Sequence, residues 1–395
     1  MDLRFSAEDE AFRQRVRRFL ENHLSGEFAT LRGRGGPGDE DQLLDERLAW
    51  ERFLAQQGWN CLSWPSAYGG GDLSLMQEVI FFEEYARAGA PGRLGHIGEG
   101  LLGPTLIALG SEEQKQRFLS PISSVKELWC QGYSEPGAGS DLAAIRTRAE
   151  RQGDEWVIHG QKVWTSHAQR ADWCFLLART EPGSARHAGL SYLLVPMNQP
   201  GIDIRPIIQP TKEGDFNEVF FDGARTEARW VVGDPGDGWK VAMATLAFER
   251  GTSTLAQQLN FANELQAIIA AARANGALRD QTMRHRITMA QMELSAMRWS
   301  TLRMLSDMLD GSLSGAALTL KLYWANWHRR LGELAMDVLG DQGDAVGEGY
   351  DLSRLQRLFL FSRADTIYAG SNQIQRNLIA ERALGLPKDP WRDRS

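Results

Sequence analysis

An α+β chain, helical at both ends and β-rich in between, is predicted by three observations. Apolar residues recur at helical intervals before residue 126. Short β-branched and aromatic runs, separated by glycines, occupy 127–232. Helical periodicity then returns from Trp239 onward. At 395 residues the chain is too long for one small core, and we divide it into a helical domain over 1–126, a β-domain over 127–232 and a helical bundle over 233–395.

Each element has a local reason. Ser6 with Asp9 three positions on forms a capping box ahead of Phe12 and Val16. Leu75 to Ala88 is an amphipathic helix. Between the first two helices lies Arg32-Gly-Arg-Gly-Gly-Pro-Gly-Asp-Glu40, expected to be a flexible loop. The strand candidates are Trp156–His159, Trp173–Ala178, Tyr192–Val195, Ile202–Ile208 and Val219–Phe221, whose spacing predicts a small β-barrel or sandwich. Ile287, Ala290, Leu294, Met297, Met304 and Met308 mark one face of a long helix. Leu331–Leu339 and Arg354–Asp365 continue the helical pattern, and Pro387 ends it.

Composition excludes several function classes. A formal net charge of -7 argues against a nucleic-acid surface. Three cysteines without metal-type spacing read as buried thiols of a reducing compartment. The amino terminus has no apolar run of a secretory signal, and no stretch is long and apolar enough to span a membrane, so a cytoplasmic location is expected. Gly33 to Gly38 has the spacing of a dinucleotide-binding turn, but it follows no predicted strand and carries a proline where the helix should begin. No metal-ligand pattern is present.

Four segments carry candidate chemistry. Gln131 to Asp141 (Gln-Gly-Tyr-Ser-Glu-Pro-Gly-Ala-Gly-Ser-Asp) places small residues and hydroxyls where the chain passes from helix to strand, so that backbone N–H groups can approach a polar ring or phosphate. Trp164-Thr165-Ser166 follows in the same domain. Phe248-Glu249-Arg250 puts a carboxylate beside Leu246, Ala247 and Phe248, neighbours that would push its pKa toward working pH. Asp365-Thr-Ile-Tyr-Ala-Gly-Ser-Asn-Gln-Ile-Gln-Arg376 is the fourth. Alone, these would pass for a tight turn, a core aromatic, a solvated charge pair and a helix start capped by Ser371.

Together the four segments resemble the acyl-CoA dehydrogenases, from Phe5 to about Pro387. The resemblance implies an N-terminal α-helical domain, a central β-barrel and a C-terminal four-helix bundle around FAD. It also implies α,β-dehydrogenation of an acyl-CoA, with electrons passed to electron-transferring flavoprotein. Gln131, Tyr133, Ser134, Gly139, Ser140, Trp164, Thr165, Ser166, Ser371 and Gln373 are the implied cofactor contacts. Ser140, Arg250, Tyr368 and Gly370 are the implied substrate contacts. In most members a Glu follows the C-terminal Tyr, but here that position is Ala369. The isovaleryl- and long-chain-type branches carry the base in a Glu-Arg pair on the earlier helix, which implies Glu249 as the base. Ala369 then keeps a role through its backbone N–H, an oxyanion donor that survives any side-chain change.

Two further family motifs are degraded. The strip that reaches a neighbouring subunit's FAD reads Asp337-Val-Leu-Gly-Asp341, and the Arg-x-x-Phe-Gly motif is unrecognisable near Arg273–Arg286. This pattern implies either a homotetramer or, as in bacterial steroid and side-chain degradation, an α2β2 assembly with a homologous chain. An oxidase reaction on the same fold and a non-catalytic partner subunit are the alternatives.

Overall fold

The computed structural model describes residues 5–36, 38–248, 252–309 and 315–388. Helix α1 (Ala7–His23) starts at the predicted capping box: Ser6 Oγ accepts from the Asp9 N–H at 3.0 Å, and Asp9 returns the bond. Its buried face is Phe12, Val16 and Leu20, packed with α2 (Leu44–Gln56) and α3 (Leu75–Arg87) around Trp50, Leu54 and Phe81. The short α4 (Gly103–Leu109) and α5 (Glu112–Ser123) follow.

The glycine-rich segment between α1 and α2 is not a loose loop, contrary to the sequence expectation. Gly33 N–H donates to Gly89 O at 2.7 Å and Gly92 N–H to Arg34 O at 2.9 Å. Arg47 donates to the carbonyls of Gly92 and Glu40, and Arg357 reaches Gly38 O from the far end of the chain. A Cβ on Gly35 would lie 2.2 Å from Arg47 Cζ, so only glycine fits there. The partners that fix this segment lie in other elements, and local sequence does not show them.

Eight strands follow: β1 (Trp129–Gly132), β2 (Arg148–Gln152), β3 (Glu155–Ser166), β4 (Trp173–Arg179), β5 (Leu190–Pro196), β6 (Ile202–Ile207), β7 (Phe216–Glu227) and β8 (Val231–Val232). They make one sheet in the order β6-β7-β3-β2-β4-β5-β8, with β1 parallel to β4. The sheet folds over rather than closing edge to edge: Thr226 Oγ1 on β7 donates to Leu194 O on β5, which is not its neighbour in the order. β2 escapes the sequence pattern because of its five residues only Ala149 is buried.

The last domain holds α6 (Gly238–Phe248), α7 (Thr252–Ala274), α8 (Gln281–Leu309), α9 (Gly315–Leu339), α10 (Asp341–Asp344), α11 (Arg354–Ser362) and α12 (Asn372–Leu378). Helices α7, α8, α9 and α11 share a core that includes Phe261, Leu265, Met297, Trp327 and Leu358. Helix α11 stops three residues before Asp365, so the chain turns just ahead of the candidate Tyr368-Ala369-Gly370 segment. A second core joins Trp64, Phe118, Trp129, Phe175, Tyr192 and Val241, fusing the first domain, the sheet and α6.

Buried charges tie α1, α3 and α8 together. Arg13 Nη1 donates to Glu83 and Glu84 at 2.8 Å each, and Arg298 pairs with the other oxygen of Glu83. Glu83 is fully buried, so removing its carboxylate takes this partner from Arg298 and leaves Arg13 with Glu84 and the more distant Glu10. Glu83→Ala is expected to lose about 3–5 kcal/mol in urea unfolding. Glu293→Ala, which breaks the partly exposed pair with Arg330, should lose no more than about 1 kcal/mol.

Candidate active site

Strand β1 delivers the chain into Tyr133–Asp141. Glu135 and Ala138 exchange backbone hydrogen bonds at 3.1 and 3.0 Å, closing a tight turn. The Glu135 carboxylate is buried and accepts from Arg146 N–H at 2.6 Å, Thr147 N–H at 2.9 Å and Lys162 Nζ at 2.8 Å. Lys162 is wholly buried and also donates to Tyr133 O at 2.9 Å. Burial opposes ionisation of Glu135, but the Lys162 ammonium and these donors hold its pKa below the usual carboxylate value. Burial lowers the Lys162 pKa against the pull of Glu135.

The turn is thereby anchored from beneath and open above. A Cβ on Gly137 or Gly139 would meet nothing within 4 Å, and Gly139 and Ser140 are exposed. Ser134 is half-buried, and its carbonyl accepts from Val163 N–H at 2.9 Å. The Tyr133 ring lies in the core against Phe175 and Tyr192, so its side chain packs the sheet and only its backbone belongs to the turn. Gln131 lies within β1, opposite Phe175.

At the end of β3 the register to β7 shifts between Lys162 and Thr165. This irregularity, with a left-handed φ of 60° at Trp164, turns the indole outward to 58% exposure. Thr165 points the other way: it is buried, and its Oγ1 has no hydrogen-bond partner among the described residues. Ser166 is half-buried beside it. The open turn, the outward Trp164 indole and the half-buried Ser166 hydroxyl make a surface that fits the flat polar ring of a flavin, whereas the buried Thr165 hydroxyl faces away from it.

The sequence reading missed two histidines here. His167 Nδ1 is buried without a partner among the described residues, and the ring meets His96 edge-on at 6.4 Å. Burial, with His96 and the Arg47 and Arg170 cations, lowers the His167 pKa to about 3. His96 is exposed, and its Nδ1 lies 2.8 Å from Arg93 O. Its loop is fixed by Arg93, which pairs with Glu51 and Glu99 and donates to Asn60.

The Tyr368-Ala369-Gly370 segment is held from both sides. Ala369 has φ 49° and Gly370 φ 88°. A Cβ on Gly370 would sit 2.4 Å from Gln375 Nε2, which donates to Ala369 O at 3.3 Å. The Ala369 N–H has no partner among the described residues. Ser371 Oγ accepts from Ile374 N–H as the N-cap of α12, so its hydroxyl is engaged by the helix, while Gln373 is exposed.

On the buried side, Tyr368 OH donates to Asp365 Oδ1 at 2.9 Å, and Asp365 Oδ2 lies 2.6 Å from His328 Nδ1. The other ring nitrogen, Nε2, is 2.7 Å from Glu264 Oε2. With a carboxylate on each side, both ring nitrogens carry protons. Burial disfavours the imidazolium, but Glu264 and Asp365 outweigh it and raise the pKa to about 9.

Glu249 and Arg250 lie outside the described residues. The end of α6 that leads to them is anchored by Thr245 Oγ1, 2.9 Å from Thr105 Oγ1. Ala247 and Phe248 are exposed and Leu246 is half-buried. In the degraded strip, Asp337 pairs with Arg286 at 2.5 Å. Among the described residues no cluster of His, Cys, Asp or Glu could hold a metal, and no helix is long and apolar enough to cross a membrane.

Family models of the acyl-CoA dehydrogenase N-terminal, middle and C-terminal domains match residues 6–126, 130–224 and 236–384. Acyl-CoA dehydrogenase IpdE1 of Mycobacterium tuberculosis is 57% identical over 96% of this chain and 98% of its own length. Its namesake in Mycolicibacterium smegmatis is 55% identical over 97% and 99%. Among solved structures, the Tcur3481-Tcur3483 steroid ACAD is 31% identical with a TM-score of 0.86, covering 98% of this chain and all of that one. The ChsE4-ChsE5 complex from Mycobacterium tuberculosis is 27% identical with a TM-score of 0.81, covering 98% and 100%.

The His328 pairing makes stability depend on pH. A folded-state pKa of about 9 against an ordinary 6.5 means the stabilisation is full below pH 6.5 and is lost as pH rises through about 9. Urea unfolding of the wild type should therefore weaken across that window, and His328→Gln should flatten this part of the profile.

Proposed function

The chain belongs to the acyl-CoA dehydrogenase family, and from that premise we propose that it oxidises an acyl-CoA to the trans-2-enoyl-CoA with Glu249 as the base. Members of the family are FAD-dependent flavoproteins. When bound, FAD would supply the acceptor for the β-hydride, with electron-transferring flavoprotein proposed as the partner that takes up the electrons. This chain's residues do the rest. The Gly137–Ser140 turn would hold the cofactor through backbone N–H groups and hydroxyls, with Trp164 against the ring and Ser166 offering a hydroxyl, while the Thr165 hydroxyl is buried away from that surface. Ser371 and Gln373 are the cofactor contacts proposed from the C-terminal segment, Ser371 through whatever its capping role leaves free.

The Glu249 carboxylate takes the pro-R α-proton of the thioester. That proton is weakly acidic, so the carbonyl must be polarised as the proton leaves. The unpartnered N–H of Ala369 is the observation that carries this reading, because it is a fixed donor with no other acceptor among the described residues. Such a donor is worth about 3–4 kcal/mol in the transition state. Tyr368 and Gly370 flank the carbonyl, Ser140 approaches the acyl-CoA, and Arg250 holds the CoA side or orients Glu249. With Ala247 and Phe248 exposed, the acyl chain itself must exclude water from the carboxylate.

A steroid-derived acyl group is the substrate class we propose, because the solved relative with 31% identity is described as a steroid ACAD. We propose an α2β2 assembly with a homologous chain. Asp337 occupies the charge of Arg286 in the strip that would serve a partner's cofactor, while the strips serving this chain's own flavin are kept. The heteromeric relatives support the same arrangement.

Three outcomes are expected. Glu249→Gln should keep its flavin absorbance and lose turnover by about 10²- to 10⁴-fold, and unchanged turnover would reassign the base. A panel of straight, branched and steroid side-chain CoA thioesters should bleach the flavin anaerobically, fastest with the steroid thioester. The chain purified alone should carry less than one flavin per subunit, and a fully yellow homotetramer would end the heteromer proposal.

A further inference from the structure

We propose that the chain of groups Glu264–His328–Asp365–Tyr368, buried from Glu264 to Asp365, is a positioning device that aims the Ala369 N–H at the thioester carbonyl. It rests on the dehydrogenase reading above. None of the four groups is assigned to proton or hydride transfer, and His328 is a positioning residue deep in the bundle.

The argument starts from cost. Two carboxylates and an imidazole are buried between α7, α9 and the turn after α11, and ion groups of this kind can often be replaced by apolar packing without loss of stability. What apolar packing cannot do is fix direction. Here both ring nitrogens of His328 and both carboxylate oxygens of Asp365 have specified partners. His328 bridges Glu264 and Asp365 at 2.7 and 2.6 Å, and Phe261 stacks on its ring at 4.2 Å. The Asp365 carbonyl accepts from Lys321, which also lies over the Tyr368 ring at 5.0 Å. The free oxygen of Asp365 then receives Tyr368 OH, one residue before the donor.

The loop needs such a hold. A left-handed alanine is disfavoured by about 1–2 kcal/mol, and without external bonds Ala369 would relax and swing its N–H away. Gln375 grips the Ala369 carbonyl, and Asp365 holds the hydroxyl of Tyr368, the residue before Ala369. The peptide between them is clamped at both ends.

The test uses the full-length protein as purified, followed by hydrogen exchange of the peptide spanning 364–372. In the wild type, Ile367 and Tyr368 N–H bond to Ala364 O and Asn372 N–H bonds to Thr366 O. Tyr368→Phe and His328→Gln should each speed exchange of these amides at least tenfold. With the thioester that the wild type oxidises fastest, Tyr368→Phe should lower kcat about tenfold with little change in KM. Wild-type exchange in Tyr368→Phe overturns the device, and so does faster exchange with unchanged kcat. Tyr368 is partly exposed, so its variant tests the last link even if His328→Gln fails to fold. A wild type that oxidises no thioester defeats the dehydrogenase reading, and the exchange result still decides whether these groups hold the loop.

Discussion

The Glu135–Lys162 pair is the contact on which the candidate site depends. One carboxylate collects the turn after β1, the start of β2 and the middle of β3 at a single buried point. A buried carboxylate is tolerated only when its lone pairs are filled, and filling them from three segments fixes those segments relative to one another. The glycines above the pair can then stay open without the turn collapsing. Rigidity comes from beneath and access from above, which is the division a cofactor surface requires.

The same rule recurs at larger scale. Arg13, Glu83 and Arg298 join the first domain to the bundle. Glu213 accepts from Arg357 at 2.9 Å and from Asp41 N–H at 2.9 Å, tying the sheet domain to both helical domains. Each is a compensated buried charge whose partners come from distant parts of the chain. The site is consequently set by the alignment of three regions that no single core could hold together.

Much of this was legible beforehand. Capping boxes at Ser6 and the α8 stripe of Ile287, Leu294, Met297 and Met304 are local, periodic signals and lie where the sequence places them. Strands β3, β4 and β5 carry continuous apolar or aromatic runs and were equally plain. Strand β2 was not, since Arg148-Ala-Glu-Arg-Gln152 is recruited by pairing with β3 rather than by its own hydrophobicity. Ser371 shows the reverse case: the unremarkable reading, a helix cap, is what its hydroxyl does.

By itself the sequence determined the helix–strand–helix order, the glycine-rich turn of Gly137–Ser140, and an Ala at 369 together with a Glu at 249, because these depend on residue type and spacing. Only the tertiary structure decided that, among the described residues, the Ala369 N–H and the buried Thr165 hydroxyl have no partner, and that His328 stands charged between two acids. Those properties belong to atoms brought together from 37 and 64 positions apart in the chain, where burial and partner geometry, not composition, set the energy.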